Sequence, residues 1–158
     1  MTPTERDDVE VTFYLRDALR SIRLGGKGRH DLAIIRPEGV YRLELHDLSG
    51  RVQHDSRWGG RQAWVLKSPA SRVVGGGRIF IEKHGAEVLT AGLRKEWFGN
   101  QLFSDVLTEF AAAHGSIRSS TQPSPSAENA FKRAGAVFVE DPREASYTLG
   151  GYWLLRKR

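Results

Sequence analysis

The stretch Leu93-Arg94-Lys95-Glu96-Trp97-Phe98-Gly99-Asn100-Gln101-Leu102-Phe103-Ser104-Asp105-Val106-Leu107 decides how the rest of the chain is read. Over residues 97–114, Phe98, Leu102, Val106 and Phe110 recur at a spacing of four, with Phe103, Leu107 and Ala111 beside them. That broad apolar face predicts a helix, and Gly115 is placed to end it. Immediately upstream, Ala86–Leu93 reads as a strand returning from a turn at His84-Gly85. A strand therefore runs through a short loop into a helix.

Downstream the alternation repeats. Ser116–Ser120 reads as a short strand, and Ser124-Pro125 supplies a serine N-cap followed by proline at the first helical position. Ala127, Ala130, Phe131 and Ala134 then fall at i, i+3, i+4 and i+7, and Gly135 closes the helix. Val137–Val139 and Tyr147–Leu155 predict two last strands. Residues 86–138 thus form a βαβα unit.

Two blocks of this unit resemble the GNAT acyltransferases. Residues 93–107 align without gaps to the signature in which a strand meets the loop (Arg/Gln)-x-x-Gly-x-(Gly/Ala) and its helix; Glu96 and Trp97 match the acidic and aromatic pair before the loop. The second block, Ser124 to Ala136, is similar to the family's Asn-x-x-Ala-x-x-Leu-Tyr-x-x-x-Gly-Phe. The resemblance implies an α/β fold with a mixed, mostly antiparallel sheet flanked by helices. It also implies acetyl-CoA or another acyl-CoA as cofactor, and an amine as acceptor. Its pyrophosphate would rest on backbone amides between Gly99 and Phe103 and on the helix dipole. The cofactor-binding positions implied are Leu93, Arg94, Phe98, Gly99, Asn100, Gln101, Leu102, Phe103 and Ser124, with the strand Leu89–Leu93 aligning the thioester.

The departures fall in the same motifs. Phe98 stands where Arg or Gln is usual, Gln101 where a loop glycine is usual, and Phe103 where a second small residue is usual. Each is expected to put a side chain into the space of the pyrophosphate. Phe131 occupies the position often held by a tyrosine that protonates the leaving thiolate, and has no proton to give. The phrase Ala134-Gly135-Ala136-Val137-Phe138-Val139-Glu140 is similar to small degenerate GNAT-like proteins of tailed phages, including internal virion proteins.

Working back toward the amino terminus, Leu32–Ile35 and Val40–Leu48 predict a hairpin turned at Pro37-Glu38-Gly39, because Tyr41, Leu43 and Leu45 alternate with Arg42, Glu44 and His46. Gln62–Lys67 and Arg78–Lys83 predict further strands, the latter preceded by a glycine-rich turn at Gly75-Gly76-Gly77. Residues 9–24 read as a strand leading into a helix. The run Gly25-Gly26-Lys27-Gly28-Arg29-His30 looks superficially like a phosphate loop but lacks the spacing of one.

At 158 residues and 39% hydrophobic content, one domain spanning 1–158 is expected, with 86–138 its cofactor-binding half. The absence of cysteine excludes disulfides, thiolate metal sites and a cysteine nucleophile, and fits the cytosol. The polar start (Thr4, Glu5, Asp7, Asp8) and the lack of a long apolar run give no expectation of export or a membrane anchor. Of the net charge of +5, residues 16–78 contribute more than their share, with thirteen Lys/Arg against six Asp/Glu. That half would attract nucleic acid, an acidic protein or the phosphates of a nucleotide cofactor; the alternative is a solvated basic face.

Candidate catalytic groups are Glu82 and His84, with Glu87 nearby, as a general base beside the cofactor strand, and Ser124. The His46-Asp47 and His54-Asp55 pairs lack any metal-binding spacing, and no metal is expected. No Gly-x-Ser-x-Gly elbow is present around Ser49 or Ser56. Trp58, Trp64, Trp97 and Trp153 interleave with Arg57 and Arg61 as base-stacking residues do, but tryptophans also fill cores. Three readings remain: an acyl-CoA-dependent N-acyltransferase, a non-catalytic module on the same fold, and a basic nucleic-acid-binding domain of another α/β fold.

Overall fold

A computed structural model of the chain describes residues 28–47, 61–94, 97, 101–144, 146 and 148–157. Eight strands form one sheet: β1 Gly28–Arg36, β2 Gly39–Asp47, β3 Arg61–Lys67, β4 Val73–Glu82, β5 Gly85–Leu93, β6 Ser116–Ser119, β7 Val137–Glu140 and β8 Gly151–Arg156. Their order in the sheet is β1-β2-β3-β4-β5-β6-β8-β7, antiparallel throughout except between β5 and β6. Helix α1, Leu102–His114, forms the crossover between those two parallel strands, and α2, Pro125–Ala134, packs beside it. The mixed sheet and its two helices match the expected α/β class. The expected segment 9–24 lies outside the described residues.

The hairpin β1–β2 follows the alternation in the sequence. Ile34 pairs with Tyr41 and Leu32 with Leu43, and all four are buried on one face. On the same face Trp64 of β3 stacks on Phe103 at 6.0 Å between ring centroids and meets Phe110 edge-on at 6.3 Å. With Leu102, Val106 and Leu107 this joins α1 to the sheet. Each such fully buried Leu, Val or Phe side chain contributes about 1.5–3 kcal/mol of transfer free energy.

The glycine run corrects one expectation. Gly75, Gly76 and Gly77 are not a turn but lie inside β4. The Trp64 indole reaches across β4 to donate from Nε1 to the Thr90 carbonyl on β5 at 3.1 Å. A Cβ on Gly77 would lie 2.1 Å from that carbonyl oxygen and 3.0 Å from Trp64 Nε1; one on Gly75 would lie 2.5 Å from Leu93 Cδ2. Gly77 is the clearance for a tryptophan laid over the strand, and Gly75 makes room for Leu93 of β5.

Three other boundaries move. Gly28, Arg29 and His30 belong to β1, so that part of the glycine-rich run is extended strand and not a phosphate loop. The first helix begins at Leu102 instead of 97, because Gln101 holds a left-handed conformation (φ 64°) that an α-helix cannot contain. The last strand begins at Gly151 instead of Tyr147: Gly150 is also left-handed (φ 75°), and its carbonyl accepts from the Asp141 amide at 2.7 Å, closing a loop before the strand.

Candidate functional site

Strand β5 is paired along its whole length with β4, but with β6 only at Ala86↔Ile117, Glu87↔Arg118 and Val88↔Ser119. Beyond Val88 the two parallel strands part, leaving Leu89–Leu93 with one unpaired edge. The cause is visible in the register. Arg78 pairs with Thr90 and Ile79 with Val88, so Leu89 is an extra residue, a bulge that bends β5 at the point of separation. The Thr90 hydroxyl holds the bulge by accepting from the Arg78 amide at 2.9 Å. On the other side, Ser119 ends β6 with its hydroxyl accepting from the Trp153 amide at 2.9 Å and donating to the Ser120 carbonyl at 2.8 Å.

The wedge opens toward the start of α1, whose N-cap Gln101 makes no side-chain capping bond. The positive end of the α1 dipole lies at that end of the helix. Two parallel strands parted at a bulge and joined through a crossover helix form a wedge between β5 and β6.

Comparison with solved structures identifies the same architecture. An acetyltransferase for the alanine of ribosomal protein S5 from Vibrio fischeri superposes with a TM-score of 0.51 at 10% identity, covering 80% of this chain and 97% of that one. The chain has the GNAT fold. A Klebsiella pneumoniae protein assigned as an acyl-CoA N-acyltransferase matches with a TM-score of 0.50 at 17% identity, over 70% of this chain and 81% of that one. An acetyltransferase from Thermus thermophilus aligns at 21% identity with a TM-score of 0.48, over 62% of this chain; the aligned part spans only 65% of the length of that protein. No protein-family model matches the sequence, and comparison with curated proteins finds no match.

In GNAT terms the expected cofactor positions divide. Leu93 and Arg94 end the open strand; the Arg94 guanidinium is turned back, with Nε donating to the Val73 carbonyl at 2.7 Å. Gln101 keeps the left-handed backbone that a loop glycine would adopt, so the residue differs from the signature while the main-chain path is glycine-like. Leu102 is buried in the core. Phe103 does not project as expected: its ring stacks on Trp64. Phe98, Gly99 and Asn100 lie outside the described residues. Ser124, at the start of α2, accepts from the Ala127 amide at 3.2 Å and serves as the helix cap.

The expected base is differently arranged from its reading in the sequence. Glu82 and His84 do not share a strand face, because β4 ends at Glu82 and His84 lies exposed in the turn to β5. Glu82 accepts from Arg118 Nη2 at 2.7 Å, and Arg118 Nε lies 3.6 Å from Glu87 Oε1. The same guanidinium stands 5.5 Å from the centre of the Tyr152 ring. Arg118 and Tyr152 were not anticipated. The only signal in the sequence was Arg118 alternating with Ile117 along β6. Phe131 is fully buried, so the position of the missing tyrosine is packed into the core.

Among the described residues no group of three or more His, Cys, Asp and Glu side chains is gathered as a metal site requires. His46 is buried on β2; His54, Asp55, Trp58 and Arg57 lie outside the described residues. Trp64 is core, and Trp97 and Trp153 pack against it. Part of the basic excess is neutralised locally, since Lys67 pairs with Glu44 at 2.7 Å and Arg36 with Glu38 at 2.8 Å. No helix of the described residues is long and apolar enough to cross a membrane.

Proposed function

We propose that the protein is an N-acyltransferase that takes acyl-CoA in the wedge between β5 and β6 and passes the acyl group to an amine. The observation that carries this reading is the unpaired edge of Leu89–Leu93, beyond which the chain leads into α1, whose N-cap Gln101 makes no side-chain capping bond. The cofactor's amide-bearing arm adds to the open edge as a strand would, and its pyrophosphate meets the helix amides. The amine nitrogen attacks the thioester carbonyl, the C–N bond forms, the C–S bond breaks, and the thiolate takes up a proton. The protein's share is positioning and stabilisation of the oxyanion by main-chain N–H groups. With Phe131 unable to give a proton and Glu82 engaged by Arg118, solvent carries the protons.

The engagement of Glu82 and the burial of Phe131 favour a second reading: a non-catalytic module that keeps the GNAT fold for binding, including a virion-associated role, with the basic half facing nucleic acid or an acidic protein. The first measurement is a thermal-shift titration with acetyl-CoA, using desulfo- and dephospho-CoA as controls. A saturable rise that weakens as phosphates are removed supports the cofactor cleft, because a ligand that binds only the native state raises its midpoint. No shift at about millimolar cofactor sinks it and leaves the binding module.

A further inference from the structure

The turn between β1 and β2 reaches both sides of the segment 98–101. On the upstream side, Trp97 Nε1 donates to the Tyr41 hydroxyl at 3.3 Å, and that hydroxyl donates to Glu38 Oε1 at 3.1 Å. Glu38 Oε1 also accepts from Arg36 Nε at 2.8 Å. On the downstream side, Arg36 Nη1 donates to the carboxylate of Asp105, in the first turn of α1. The chain Trp97–Tyr41–Glu38–Arg36–Asp105 is continuous. The Tyr41 ring is buried and the Arg36 side chain is only 14% exposed, whereas the Glu38 and Asp105 carboxylates are 45% and 46% exposed, so the chain is sheltered at Tyr41 and Arg36 and open to water at its two carboxylates. Arg72 adds a guanidinium 5.5 Å from the centre of the Trp97 ring on the same side.

Nothing in the hairpin itself requires this arrangement. Tyr41 already fills its core position with its ring, and a phenylalanine would serve the packing equally well. The hydroxyl, by contrast, has a single set of partners, and they lead to the two ends of the segment. We propose that Tyr41 and Glu38 are positioning residues, which hold Trp97 and the first turn of α1 at a fixed separation and so set the position of the helix start. The proposal rests on the acyl-CoA reading only for the identity of the ligand; the clamp stands or falls independently.

Two measurements on the full chain test it. In the first, hydrogen exchange by NMR is followed at the Trp97 indole N–H and at the Asp105 amide, which donates to the Gln101 carbonyl. Tyr41→Phe is expected to speed exchange at the indole about 5–10-fold and at Asp105 about 2–5-fold, as loss of a shielded hydrogen bond implies. Exchange in α2 should stay unchanged. Ile34→Val, a buried truncation in the same hairpin, should spare both reporters. Equal acceleration in α1 and α2, or none at Trp97, overturns the clamp. Glu38→Gln, at an exposed site, provides a second variant expected to affect Asp105 more than Trp97.

In the second, acetyl-CoA affinity is measured by calorimetry. A dissociation constant about 5–10-fold weaker in Tyr41→Phe supports transmission to the ligand, and an unchanged constant in a binding-competent protein overturns it. If the unaltered protein does not bind acetyl-CoA, the acyl-CoA reading fails while the exchange experiment still decides the clamp.

Discussion

The two helices begin in opposite ways. Helix α2 has Ser124 bonded to the Ala127 amide and proline at its first turn, so its start is satisfied from within. Helix α1 starts from a left-handed Gln101 with no side-chain cap, and relies on packing of Leu102, Val106, Leu107 and Phe110. A helix with a side-chain cap is fixed at its start by local sequence, whereas one without is fixed there by the packing of its flank.

Four substitutions or conditions break or sharpen that contrast. Removing the α1 flank should have the largest effect: Phe110→Ala is expected to cost about 3–5 kcal/mol in urea unfolding, since it empties a fully buried site beside Trp64. A cost under 1 kcal/mol in that assay, in order-of-magnitude terms, contradicts a helix held by its flank. Ser124→Ala should cost about 1 kcal/mol by loss of the cap and leave acetyl-CoA affinity unchanged. A loss of affinity larger than the loss of stability makes Ser124 a ligand contact.

Gln101→Gly should act in the opposite sense and stabilise by about 0.5–1 kcal/mol, the relief of a left-handed side chain less the added freedom of the unfolded glycine. Destabilisation on the same chemical-denaturation curve means that the glutamine side chain makes a contact worth more than its strain. The smallest effect belongs to acid. Hydrogen bonding from Arg36 holds the Glu38 carboxyl below its ordinary value. Its contribution is therefore complete above the unfolded value, about 4.3, and is lost as pH falls through the lowered folded value. Melting curves between pH 6 and 3 should show a slope that Glu38→Gln reduces; an identical slope in the variant removes Glu38 from the acid response.

Most strands and both helices were legible because periodicity reports burial. Tyr41, Leu43 and Leu45 alternate, they face the core, and β2 lies where that alternation puts it. The Ser124 cap and the Gly135 stop were legible for the same local reason. What failed was set by contacts distant in sequence. Gly75–Gly77 looked like a turn because the groups that press on Gly75 and Gly77, Leu93 and the Thr90 carbonyl of β5 and Trp64 of β3, lie on other strands. Glu82 looked free because Arg118 is far along the chain, and Phe103 looked like a plug because its stacking partner belongs to β3. The role of Leu89–Leu93 as the cofactor strand was an expectation from resemblance alone, and the bulge at Leu89 left no mark on the local pattern of residues.

The brief parallel contact between β5 and β6 also bears on the cost of assembly. From β1 to β5 every strand pairs with its neighbour in the sequence, whereas β6 reaches β5 only after the chain has run through α1, and β6 and β8 become neighbours across α2 and β7. Closing those longer excursions costs more chain entropy than closing hairpins. The pairings that join the meander to the carboxyl-terminal strands are therefore the ones that fix the most chain for the shortest ladders, three residue pairs each at β5–β6 and β6–β8.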